Sequence, residues 1–192
     1  ADAHGLNQTH LKTSEVGITG EDYLSARRML LINNDVMMGI CTPKQRKMDY
    51  FFKNADGDEL IYIHDGEGVM YSQFGKLVVK KGDYIVIPRT TIYRFEFNEE
   101  GPLRLLVMES QGPIETVKRY RNEVGQLLEH SPYCERDIHP PIELSLEEKK
   151  GDYLVQIKKQ GVLYPYHYAH SPLDIVGWDG FLYPYTLSIH DF

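Results

Sequence analysis

The carboxylates Asp56, Asp58 and Glu59, the histidines His64, His167 and His170, and two basic runs are the side chains whose types and spacing could carry chemistry. The basic runs are Lys44-Gln45-Arg46-Lys47 and Lys118-Arg119-Tyr120-Arg121. Neighbouring carboxylates can act as general acid and base, but beside an apolar run they read more simply as solvated groups at a strand edge. His167 and His170 stand at i, i+3, a spacing that aligns two ligands only on a helix. Pro165 and Pro172 argue against a helix there, so an exposed aromatic loop is expected. His64 is expected at a strand end or on the surface, since a single histidine is a weak metal signal. The basic runs could bind an anion, yet a solvated loop and salt bridges to local carboxylates are the expected state. Gly66-Glu67-Gly68 is a turn between strands and not a phosphate cradle, because no helix follows it. No Gly-x-Ser-x-Gly, no Walker loop and no His-Glu-x-x-His occurs.

The elements that must hold these groups are mostly short strands. Arg28-Met29-Leu30-Leu31-Ile32 and Val36-Met37-Met38-Gly39-Ile40 flank Asn33-Asn34-Asp35, residues that tolerate positive φ, and predict a β-hairpin. Strand-like runs follow at Leu60–Ile63, Val69–Tyr71, Leu77–Val79, Tyr84–Ile87, Tyr93–Phe97 and Leu103–Met108, with Gly, Asp and Pro turn residues between them. Strands at such close, regular spacing predict a β-sandwich or barrel. Val117, Tyr120, Val124, Leu127 and Leu128 follow a helical period that Gly125 interrupts, which predicts a short helical segment. Tyr153–Lys158 reads as one further strand. Leu163-Tyr164-Pro165-Tyr166 and Leu182-Tyr183-Pro184-Tyr185 echo one another around Trp178 and read as extended chain packed on a second lobe or another subunit.

Composition narrows the class. The chain has 192 residues, 42% hydrophobic and 26% charged, enough for a sizeable core and against global disorder. Twenty-eight acidic against 21 basic residues give a net charge of −7, which argues against nucleic acid or an anionic membrane as the main partner. No apolar run is long enough for a membrane span. Cys41 and Cys134 lie far apart and form no Cys-x-x-Cys, so a reducing, cytoplasmic location is expected. The chain opens on Ala1 without a Met and closes on Leu187–Phe192, which reads as strand interior, so a fragment or processed polypeptide is expected.

Glu59-Leu60-Ile61-Tyr62-Ile63-His64-Asp65-Gly66-Glu67-Gly68 and Gly82-Asp83-Tyr84-Ile85-Val86-Ile87-Pro88 resemble, in spacing, the two motifs of the cupin family of small β-barrels. In metal-binding cupins the first motif supplies His-x-His and a Glu, and the second one more His. Here Glu59 matches the Glu, while Lys53, Ala55 and Tyr93 occupy the histidine positions. A divalent transition metal needs at least three converging N, O or S donors, and only Glu59 survives. The resemblance with these departures implies a metal-free barrel, with Lys53 placing a cation where the metal would sit.

Asn54-Ala55-Asp56-Gly57-Asp58-Glu59-Leu60, Gly82–Thr91 and Gly177-Trp178-Asp179-Gly180-Phe181-Leu182-Tyr183-Pro184-Tyr185 are more specific still. They are similar to the homogentisate 1,2-dioxygenase family in its shorter, divergent bacterial form, and the similarity runs through most of residues 20–192. It implies an all-β, cupin-like (jelly-roll) barrel with a short helical segment and extended C-terminal strands. It divides the chain into an N-terminal arm (1–25), a metal-free barrel (26–135) and a linker with an extended aromatic segment leading to a catalytic lobe (136–192). The family's second lobe holds ferrous iron on two His and one Glu, binds the ring and O2, and cleaves homogentisate to maleylacetoacetate in tyrosine and phenylalanine catabolism. Its members are homo-oligomers, trimers pairing into hexamers. By resemblance this chain ends before the iron motif, the third ligand and the catalytic His. It is therefore expected to supply scaffold and subunit contacts, with no catalytic, cofactor-binding or metal residue of its own. His190 does not match the family's catalytic His.

A competing reading is a non-catalytic cupin that binds a small ligand or only assembles with partners. A metal-dependent cupin isomerase or epimerase is disfavoured by Lys53, Ala55 and Tyr93. The apolar tail from 161 to 192 separates the first two readings, because a bilobed oligomer would bury it and a free-standing barrel has no need of it.

Overall fold

A computed structural model describes residues 10–144 and 149–191. Its strands are β1 (Arg27–Ile32), β2 (Val36–Cys41), β3 (Phe51–Asn54), β4 (Asp58–Asp65), β5 (Gly68–Ser72), β6 (Gly75–Val79), β7 (Asp83–Ile87), β8 (Ile92–Phe97), β9 (Arg104–Ser110), β10 (Ile138–His139), β11 (Lys150–Lys159), β12 (Val162–His170) and β13 (Tyr185–Ser188). They form a seven-stranded sheet in the order β1-β2-β9-β4-β7-β13-β10 and a six-stranded sheet in the order β12-β11-β3-β8-β5-β6. The fold is all-β, a sandwich of these two sheets. No helix among the described residues is long and apolar enough to cross a membrane.

Strict alternation builds the core. In β4, β8 and β9 every second residue is buried, so one face of each strand turns inward. Ile61 and Ile63 meet Leu105 and Val107 from one sheet, and Tyr93, Phe95 and Phe97 come from the other, with Phe52 and Met70. Each such side chain contributes about 1.5–3 kcal/mol by leaving water. A smaller cluster on the outer face of the six-stranded sheet joins Phe51, Val155 and Leu173.

Turn chemistry explains the connections. In the β1–β2 hairpin, Asn33 Oδ1 accepts the amides of Asp35 and Val36 at 2.8 and 2.7 Å. Gly82 holds φ +93° between β6 and β7, where a Cβ would lie 2.6 Å from His190 Nε2. The tip of the β11–β12 hairpin, Gln160 and Gly161, has positive φ at both residues. Asp56 accepts both of their amides, at 2.5 and 2.8 Å. Residues 136–192 add β10 through β13: β11 lies parallel to β3, and β13 inserts between β7 and β10.

The helical period over 117–128 does not produce an α-helix. The chain makes a three-residue 3-10 turn at Lys118–Tyr120, then a bridge between Arg121 and Leu127. Gly125 takes φ +90°, and Asn122 Oδ1 accepts the amides of Val124 and Gln126 at 3.0 and 2.9 Å. A side-chain acceptor and a left-handed glycine outcompete helix propagation over so short a stretch. The His167–His170 stretch is likewise strand, not loop. β12 pairs with β11 throughout and forms the open edge of its sheet.

Candidate functional site in the barrel interior

β4 starts with Asp58 outside and turns Glu59 inward in register with Ile61 and Ile63. Glu59 is 1% exposed, so it is not the solvated strand-edge group that its acidic neighbours imply. Asp58 and Asp56 do stay at the periphery, where their carboxylates accept backbone amides: Arg89 and Ile114 on Asp58, Gln160 and Gly161 on Asp56. The acidic cluster is thus divided between a core group and loop anchors, and no acid–base pair forms.

Both oxygens of Glu59 are taken. Arg27 of β1 donates from Nη2 to Oε1 at 2.5 Å, and Tyr93 of β8 donates from its hydroxyl to Oε2 at 2.7 Å. The guanidinium lies over the rings of Tyr23 and Phe52, 5.5 and 5.7 Å from their centroids. The hydroxyl of Tyr23 is 3.4 Å from that of Tyr93. Burial pulls the Arg27 guanidinium down, but the Glu59 carboxylate beside it outweighs this and holds it above its ordinary value. Burial, reinforced by Glu59, pushes the Tyr93 hydroxyl far up, and burial does the same to Tyr23. The guanidinium therefore keeps its charge, and the two phenols keep their protons near neutral pH.

The expected cation is present but is a different residue. β3 sends Phe52 into the core and Phe51 to the outer cluster, so Lys53, on the face of Phe51, points away from Glu59. Arg27 takes the place that Lys53 was expected to fill. Ala55 has no donor, and Tyr93 spends its hydroxyl on Glu59. An iron ion does not fit around Glu59, since both oxygens of that carboxylate are taken by Arg27 and Tyr93. No group of three or more His, Cys, Asp or Glu among the described residues could hold a metal ion.

His64, His167 and His170 do not converge. His64 is exposed on β4 beside the ring of Tyr62, at 6.2 Å. His167 and His170 lie on one strand three residues apart and so face opposite sides, with His167 Nδ1 at 2.6 Å from Asp152. Of the basic runs, Arg121 pairs with Glu115 at 3.2 Å and Lys44 with Glu21 at 3.2 Å, as salt bridges at the surface. Cys41 and Cys134 are free and buried.

A second buried ion pair escapes motif reading. Glu109 of β9 sits directly across from Glu59 in the ladder and meets Lys158 of β11 at 2.5 Å. Its signal was alternation: Glu109 continues the inward set of Leu105 and Val107 just as Glu59 continues Ile61 and Ile63.

Known proteins place this barrel. Residues 30–189 match the family described as homogentisate 1,2-dioxygenase N-terminal. The chain is 38% identical over 181 residues to a candidate dioxygenase of Saccharolobus solfataricus, covering 94% of this chain and 46% of that protein. It is 32% identical over 145 residues to the homogentisate 1,2-dioxygenase of Sinorhizobium fredii, covering 75% of this chain and 31% of that enzyme. A cupin protein of Bacteroides fragilis superposes with a TM-score of 0.41 at 18% identity, over 49% of this chain and 84% of that one. The chain spans less than half the length of these two relatives. With most of its length inside the matched region, the chain belongs to the homogentisate 1,2-dioxygenase N-terminal family.

Proposed function

We propose that this chain is the scaffold lobe of a non-haem iron oxidoreductase that opens the ring of homogentisate with O2 to give maleylacetoacetate. The family match over residues 30–189 carries the reading. The saturation of Glu59 by Arg27 and Tyr93 supports assigning iron and catalysis to residues outside this chain. Val176, Phe181 and Leu182 are 97%, 94% and 64% exposed, a cost that a covering lobe or subunit would remove. The chain's part is then to present this surface within a homo-oligomer, a trimer or hexamer, in the cytoplasm, where its two thiols stay reduced.

The test is oxygen uptake with homogentisate and iron content, compared between the 192-residue chain and the complete product of its gene. Uptake and iron are expected in the complete product and not in the chain alone. Silence from both would overturn the reading in favour of a non-catalytic cupin that binds or assembles.

A further inference from the structure

Glu59 has both oxygens occupied, but its neighbour across the ladder does not. Glu109 is 4% exposed; Oε1 receives Lys158 Nζ at 2.5 Å, while Oε2 is buried with no hydrogen-bond partner. A desolvated carboxylate oxygen without a donor is unfavourable and gains from any N–H brought to it. Glu109 and Lys158 line a cleft of about 410 Å³. Its rim is made by the β1–β2 turn with Asp35 and by the β11–β12 turn with Gly161, and Val36 and Met37 form an apolar wall.

The charges in this cleft do not balance. Asp35, Asp56 and Glu109 contribute carboxylates against the single ammonium of Lys158. Asp56 is committed to the amides of Gln160 and Gly161, and Lys158 to Glu109. The Asp35 carboxylate is exposed and has no partner among the described residues. Excess carboxylate disfavours an anion, and the donor set is too poor for a metal ion. We propose that the cleft binds a small organic ammonium ion. Its N–H groups reach Oε2 of Glu109 and the carboxylate of Asp35, and its alkyl body lies along Val36 and Met37. Glu109 lines the cleft, and a turn about its broad terminal torsion is the motion that would bring the buried Oε2 to the ligand. This site is independent of the ring-cleaving reading and stands or falls separately.

The experiment is titration of the 192-residue chain with n-butylammonium chloride, read by backbone amide shifts, with sodium chloride at matched ionic strength and sodium butyrate as comparisons. Saturable shifts are expected at Asp35, Met37 and Gly161 with the ammonium alone. Asp35→Asn is expected to weaken binding about tenfold, the loss of one charge-assisted hydrogen bond. Glu109→Gln with Lys158→Met keeps the interior neutral and is expected to abolish saturation while the rest of the spectrum persists. Should that pair fail to fold, Asp35→Asn at the exposed rim decides alone. Shifts that never saturate, that sodium chloride reproduces, that butyrate also produces, or that Asp35→Asn leaves unchanged would overturn the site.

Discussion

Arg27 and Glu59, 32 residues apart in sequence, meet inside the barrel with Nη2 at 2.5 Å from Oε1. The guanidinium is 6% exposed and the carboxylate 1%, so neither charge is shared with water. Such a pair contributes little net stability relative to an apolar core, yet breaking it leaves a bare buried charge. Arg27→Ala is therefore expected to destabilise the fold by about 3–5 kcal/mol, and Arg27→Met combined with Glu59→Leu to recover most of that loss. Urea denaturation of the single and double variants measures it. A double variant as unstable as the single would remove the ion pair as the cause.

Tyr93→Phe keeps the edge-on ring contacts with Phe52 and Phe95, at 5.7 and 5.4 Å, but withdraws the hydroxyl from Glu59 Oε2. A loss of about 1–3 kcal/mol is expected, the penalty of an unsatisfied buried acceptor. Thermal unfolding, with near-ultraviolet circular dichroism to confirm native packing, is the check.

Burial pushes the Cys41 thiol up from 9.0 to about 12, against the pull of Arg27. The unfolded chain releases this proton from about pH 9, whereas the folded chain keeps it until about pH 12. The native state thus binds more protons in that window, and its stability falls as pH rises through it. Below pH 9 the contribution is fully present. Denaturation midpoints measured from pH 8 to 11 should decline, and Cys41→Ser or Cys41→Ala should flatten the decline at its lower end. Native Cys41 should also resist alkylation at pH 8 and react once the chain unfolds.

Val176 and Phe181 touch little within this chain, so Val176→Ser and Phe181→Ser should change unfolding stability by no more than about 0.5 kcal/mol. Their effect should appear in association. Sedimentation of the variants is expected to show less self-association or weaker assembly of the complete protein. Unchanged assembly with lowered stability would mean that these residues serve the fold of this chain and not a covering surface.

Much of this barrel is written in local pattern. The Asn33-Asn34-Asp35 turn, the runs in β4 to β9 and the turn glycines each follow from side-chain period and allowed φ. Glu59 could be placed by motif spacing, but its partner could not. Arg27 lies at the start of β1, and nothing in its neighbourhood says which way a strand-end arginine points. Lys53 was closer in sequence to the motif, yet one step of strand period puts it on the opposite face from Phe52. Glu109 and Lys158 come together through the parallel pairing of β11 with β3, a contact between distant segments that no local pattern encodes. The turn at 118–127 is hidden in the sequence because its decisive group, the side-chain oxygen of Asn122, competes with a period that otherwise suits a helix.

Arg27 and Tyr93 occupy the carboxylate that a metal in this interior would need. Anaerobic equilibrium dialysis of ferrous iron against the 192-residue chain tests it most directly. No stoichiometric binding is expected, and unfolding midpoints should not move when iron is added. One equivalent of iron bound and then lost in Glu59→Gln would show that Arg27 and Tyr93 do not exclude the metal and would make the barrel interior a metal centre.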